Sequence, residues 1–280
     1  MAGTAEKISI ANVITNSFGL LGRHALVFFG FPLLLFGVPS VAIRSLFGLE
    51  TDFGNFNGTS TAYAIVFGYA LAMLAVYGFL QALLMLVAAQ DLARQPSSLA
   101  NCIAQAVRKL PGLFGLGFVV IASFILIAGV ITMPVFGFSL KLVSDQNFAG
   151  ATSMFFTMLG LVLIGMIAFT YLSLMWMVAI PAKVVEPIGV FAALGRSRRL
   201  TAGSRLRLLL LIIILFFFNI AVSLPLGLIA QFGPVVEMIA TVLSSAINIA
   251  FASALVASAY IELRAVKEGA STDELADVFA

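Results

Sequence analysis

The chain has 280 residues, of which 62% are hydrophobic and only 10% charged. A soluble domain carries about 25% charged residues because its surface faces water, so a water-soluble globule is excluded and lipid is expected around most of this protein. The net charge of +3 comes from basic residues placed between long apolar runs, a distribution that points to membrane topology and not to nucleic acid.

Residues 1–24 contain Glu6, Lys7, Asn12, Asn16 and Arg23 and no compact apolar run ending in a cleavage site, so no removable signal peptide is expected. Within them Ile10, Val13, Ile14, Phe18 and Leu21 recur at helical spacing and make one apolar stripe, as in an interfacial helix. Apolar runs near 25–47 and 62–90 follow, each exceeding the ~20 residues that cross about 30 Å of hydrocarbon. Leu99, Cys102, Ile103, Ala106 and Leu110 repeat the stripe after a helix start at Gln95-Pro96-Ser97-Ser98, and spans near 113–140 and 152–181 come next. Glu186-Pro187 opens a third short helix carrying Ile188, Phe191 and Ala192, ahead of spans near 206–230 and 236–261. Pro32, Pro39, Pro134 and Pro225 lie inside apolar runs, where kinks are expected.

A shift of 89 residues maps Ile10 onto Leu99 and then Ile188, Val13 onto Cys102 and Phe191, and Ser17 onto Ala106 and Gly195. The expected fold is an all-α membrane protein of six transmembrane helices and three cytoplasmic interfacial amphipathic helices, built as three helix-hairpin repeats. Repeat units 5–93, 94–182 and 183–262 form a single six-span domain, 1–262, followed by a short cytoplasmic tail, 263–280. Thirteen Lys and Arg residues fall on one side of the spans, and only Arg44 and Lys141 on the other. The first side is therefore expected in the cytoplasm, with both termini.

Polar candidates fall into two groups. Glu237, Thr241, Ser244 and Asn248 sit at i, i+4, i+7 and i+11 on one face of the last span, and Arg44 or Lys141 could pair with Glu237. The face reads either as a polar cavity or ion path, or as interhelical hydrogen bonding. Arg196, Arg198, Arg199, Arg205 and Arg207 form the densest basic cluster, suited to anionic lipid headgroups or an acidic partner, or serving as orientation signal and snorkelling anchors. Ala246, Ala250, Ala254 and Ser258 recur every fourth residue and read as a close-packing face. His24 is the only histidine and Cys102 the only cysteine, too few for a His/Cys zinc site. No Walker loop, GxSxG elbow, HExxH pair or dinucleotide fingerprint occurs, so no catalytic, cofactor-binding or metal residue is expected.

The stretch from Glu186-Pro187-Ile188-Gly189-Val190-Phe191 through Gly195-Arg196-Ser197-Arg198-Arg199-Leu200-Thr201-Ala202-Gly203 resembles a signature of bacterial six-span proteins. These are similar to the membrane domain attached to some glycerophosphodiester phosphodiesterases and to its stand-alone, largely uncharacterised inner-membrane relatives. The segment Tyr260-Ile261-Glu262-Leu263-Arg264-Ala265-Val266-Lys267-Glu268-Gly269 is similar to an ending common among them. The resemblance implies a bacterial inner-membrane location. It does not imply phosphodiester hydrolysis, because the metal-binding acids and histidines of the fused domain have no counterpart here. The expected function is that of a non-catalytic accessory or scaffold subunit binding anionic lipids, a membrane-protein partner or a second copy of itself. The alternative is a transporter or channel for a small solute or lipid.

Overall fold

The computed structural model describes residues 8–39, 60–92, 98–145 and 151–269, and every regular element among them is helical. α1 (Ile10–Arg23) begins at Ser9, whose hydroxyl accepts a hydrogen bond from the Asn12 amide at 3.4 Å. It buries Val13, Ser17, Leu20 and Leu21, so the apolar stripe faces the protein on one side while Phe18 stays half exposed on the other. The chain then turns by 84° into α2 (Leu26–Gly37), which contains two π-helical stretches, Leu26–Gly30 and Leu33–Gly37. Pro32 lies between them; it has no amide hydrogen, and its ring crowds the carbonyl four residues back, which widens the turn.

α3 (Ser60–Leu92) and α4 (Leu99–Asp145) form the next pair, and α5 (Ala151–Trp176) leads into the short α6 (Ala179–Val185). α7 (Val190–Thr201), α8 (Arg205–Ala230) and α9 (Pro234–Glu268) complete the chain. Gly203, at φ 80°, takes the left-handed conformation that turns α7 into α8. Five of these helices are long and apolar enough to cross a membrane, and the bent α1–α2 pair would make a sixth.

Three boundaries differ from those read in the sequence. The second interfacial helix and the third span are one helix of 47 residues, about 70 Å long at 1.5 Å per residue, which continues through Pro111. Proline there frees the Val107 carbonyl, and both residues are exposed, so the unpaired group meets solvent or headgroups and the helix does not break. α7 keeps the spacing of α1 but two residues later than the 89-residue shift requires. Its buried positions are Ala193, Leu194, Ser197, Leu200 and Thr201; all but Leu194 match the buried Val13, Ser17, Leu20 and Leu21, whereas Phe191 and Gly195 are exposed. The expected tail is not separate at 263 either: α9 runs on to Glu268, with Leu263 and Arg264 buried.

Packing is uneven along the bundle. Every residue from Leu80 to Ala89 in α3 is buried, as are Ala246, Ala250, Ala254 and Ser258 of α9, so the expected small-residue face does pack. α9 lies against α8, α1, α3 and α2. The α2 backbone comes so close that a Cβ at Gly37 would stand 2.5 Å from Val242 Cγ1. Cys102 is also buried, with its thiol 3.0 Å from Gln90 Oε1. This well-packed end carries most of the basic residues. Toward the other end α4, α5 and α8 expose Phe118, Ile125, Phe155, Phe156, Phe216 and Phe217.

Candidate functional site

The five arginines read as one cluster separate into two populations. Arg198 and Arg199 are exposed on α7. Arg196, Arg205 and Arg207 turn inward. Arg207 donates to the carbonyl of Ile8, tying α8 to the start of α1. Arg205 lies 4.7 Å over the Tyr171 ring and donates to that residue's hydroxyl at 2.9 Å, tying α8 to α5.

Arg196 sits in an ionic network that the sequence reading missed. Its Nε donates to both carboxylate oxygens of Glu186, at 3.0 and 3.1 Å, and its Nη1 pairs with Glu268 at the end of α9. Tyr260 donates its hydroxyl to Glu186 at 2.8 Å, and Arg264 Nε donates to Glu268 at 3.1 Å. Burial alone would pull the Arg196 pKa down, but the hydrogen bonds to Glu268 and Glu186 outweigh it and raise the value, so the guanidinium stays charged. The segments 186–203 and 260–269, quoted above for their resemblance, thus meet in space through these side chains. The available signal was the presence of acids, Glu186 and Glu268, on the side where only Lys and Arg had been counted.

The same end holds other polar ties. Arg23 donates to Asp91 through Nε at 3.1 Å and Nη2 at 2.5 Å, and His24 Nε2 lies 2.8 Å from the same carboxylate. The bend between α1 and α2 is thereby fastened to the end of α3. Glu262 accepts from the Ser9 amide at 3.4 Å and from Asn12 Nδ2 at 3.3 Å, joining α9 to α1. Ser197 donates to the Met175 carbonyl at 2.8 Å, joining α7 to α5.

The polar face of α9 is divided too. Ser244 is 3.0 Å from Ser223 of α8, and Asn248 Nδ2 donates to both hydroxyls at 3.3 Å, so these three groups bridge the helices. Thr241 is exposed and donates to the Glu237 carbonyl in its own helix at 2.8 Å. Glu237 is partly exposed near the start of α9. Arg44 and the Lys141 side chain, its expected partners, lie outside the described residues. A cavity of about 190 Å³ opens between α8 and α9 and is lined by Ser223, Gly227, Ala240, Thr241 and Ser244 among others. Thr241 is bonded within α9, whereas Ser223 and Ser244 are bonded to each other between the helices, an arrangement suited to holding α8 against α9. No group of three or more metal-ligating side chains occurs among the described residues.

No protein-family model matches the chain, and no match was found among curated proteins or solved structures.

Proposed function

We propose that the protein is a non-catalytic, multi-pass inner-membrane protein with six spans and both termini in the cytoplasm. It acts as an accessory or scaffold subunit that rests its basic face on anionic lipid or on a membrane partner. The observation that carries this reading is the outward face of α7. Phe191, Arg198 and Arg199 fall at i, i+7 and i+8, share one side of a helix outside the long apolar elements, and are all exposed. An aromatic ring that enters the acyl boundary beside cations that meet phosphates is the chemistry of a helix lying in the headgroup layer. The matching burial patterns of α1 and α7, each followed by an apolar segment, support a repeated unit of interfacial helix and membrane hairpin.

Purification from native membranes followed by mass spectrometry tests the proposal. Retained anionic lipid or a co-purifying membrane protein is expected; recovery as a lone, lipid-free monomer counts against it. The carrier reading draws on the α8–α9 cavity. It predicts that Glu237→Gln impairs flux in liposomes, and it fails if the wild-type protein moves no solute.

A further inference from the structure

Lys109 of α4 and Lys183 of α6 cross at one point. The Lys183 stem lies over Gly112, where an added Cβ would stand 2.6 Å from its Cε and 3.1 Å from its Nζ. Gly112 is one turn along α4 from Lys109 and shares its face. Lys109 reaches back to the carbonyl of Val184, the residue next to Lys183, while Lys183 donates to the Ile188 carbonyl at 2.5 Å. Two half-buried ammonium groups are thus held close together where α4 meets α6 and the link to α7.

Neither lysine pairs with a carboxylate among the described residues. The acid nearest to Lys183 in the chain, Glu186, is engaged by Arg196 and Tyr260. An ammonium has three donors, and one carbonyl takes only one of them from each lysine. Two like charges in a partly dry site repel unless an anion lies between them, and an anion with several acceptor oxygens would use the remaining donors. The crossing lies just before Leu113, where the long apolar stretch of α4 begins.

We propose that Lys109 and Lys183 form a phosphate-binding site, filled by the headgroup phosphate of an anionic phospholipid or by a free phosphate. The proposal deepens the membrane-surface reading, on which it rests for the depth of the site. It assigns the phosphate to this lysine pair and not to Arg198 and Arg199.

The test starts with the wild-type protein in a phosphate-free maltoside detergent. Acylation of each lysine by an amine-reactive reagent is read by peptide mass spectrometry, with added phosphatidylglycerol in one arm and inorganic phosphate in the other. About tenfold slower acylation of both Lys109 and Lys183 is expected when a phosphate occupies them. Protection by phosphatidylglycerol alone identifies a lipid site, and protection by inorganic phosphate as well identifies a soluble phosphate. Protection by neither overturns the proposal without needing any variant to fold. Phosphatidylglycerol retention by native mass spectrometry then compares Lys109→Gln/Lys183→Gln with Arg198→Gln/Arg199→Gln. About tenfold weaker retention is expected in the lysine pair. A loss confined to the arginine pair removes this site and leaves the membrane-surface reading standing, whereas a wild-type protein that retains no anionic lipid removes both.

Discussion

Replacing Arg196 with Met should destabilise the fold, because it removes the cation shared by two carboxylates. The Arg196 side chain is 20% exposed, and the side chains it joins, Glu186 and Glu268, are 15% and 28% exposed. Removing one member of a buried ion pair costs about 3–5 kcal/mol, because the remaining charge has lost its partner. Here Tyr260 still donates to Glu186 and Arg264 still donates to Glu268, which reduces the expected loss to roughly 2–3 kcal/mol. The assay is equilibrium unfolding in mixed micelles, by titration with a denaturing detergent. Glu186→Gln in the Arg196→Met background should cost less than it does alone, since the carboxylate no longer has a cation to lose, with a coupling of about 1–2 kcal/mol. A loss below about 0.5 kcal/mol for Arg196→Met, or strict additivity in the double variant, would refute the network as a tie between α7 and α9.

Tyr260→Phe removes one hydrogen bond to a charged group and should cost about 1.5 kcal/mol in the same unfolding assay. Gly37→Ala places a methyl where Val242 already stands and should destabilise by roughly 1–3 kcal/mol; Val242→Ala in the same chain should restore part of the loss, and failure to do so would mean α2 and α9 are not in contact there. Cys102 is buried in the core, so its thiol should resist maleimide until the protein is unfolded, and rapid labelling of the folded protein would contradict that placement. Arg198→Cys, in a chain also carrying Cys102→Ser, should react with an impermeant reagent in inverted vesicles and not in intact cells; the opposite result would reverse the proposed sidedness.

The long apolar helices were legible in the sequence because lipid imposes a length and a composition that few other structures share. The buried face of α9 was legible for a related reason: alanine and serine at every fourth position have little use in a membrane helix except close approach. The continuity of α4 was not, because residue types alone do not show that Val107 and Pro111 are exposed, which lets the helix pass a proline without a buried unpaired carbonyl. The two-residue offset of α7 was hidden because Phe191 is apolar and matches Val13 by type, although it points outward and Ala193 takes the buried place. The arginine cluster misled for a different reason. Counting cations gives sidedness but says nothing of which ones find a carboxylate, a tyrosine or a carbonyl, and three of the five do.

The placement of these ties follows from what can hold helices together in lipid. Acyl chains solvate an exposed leucine as well as another leucine does, so apolar contact alone fixes no helix against its neighbour. Specific association must come from close packing of small residues and from polar groups whose alternative is to go unpaired. Both concentrate at the basic end of this bundle: the alanine and serine face of α9 against its neighbours, and the links Arg23–Asp91, Arg207–Ile8, Glu262–Ser9, Ser197–Met175 and Glu186–Arg196–Glu268. Level with Ala246, the Ser223–Ser244–Asn248 bridge joins α8 to α9, and the outward faces of α4 and α5 carry large apolar side chains. A protein held this way keeps its basic end in one arrangement while those outward faces remain open to lipid or to another membrane helix.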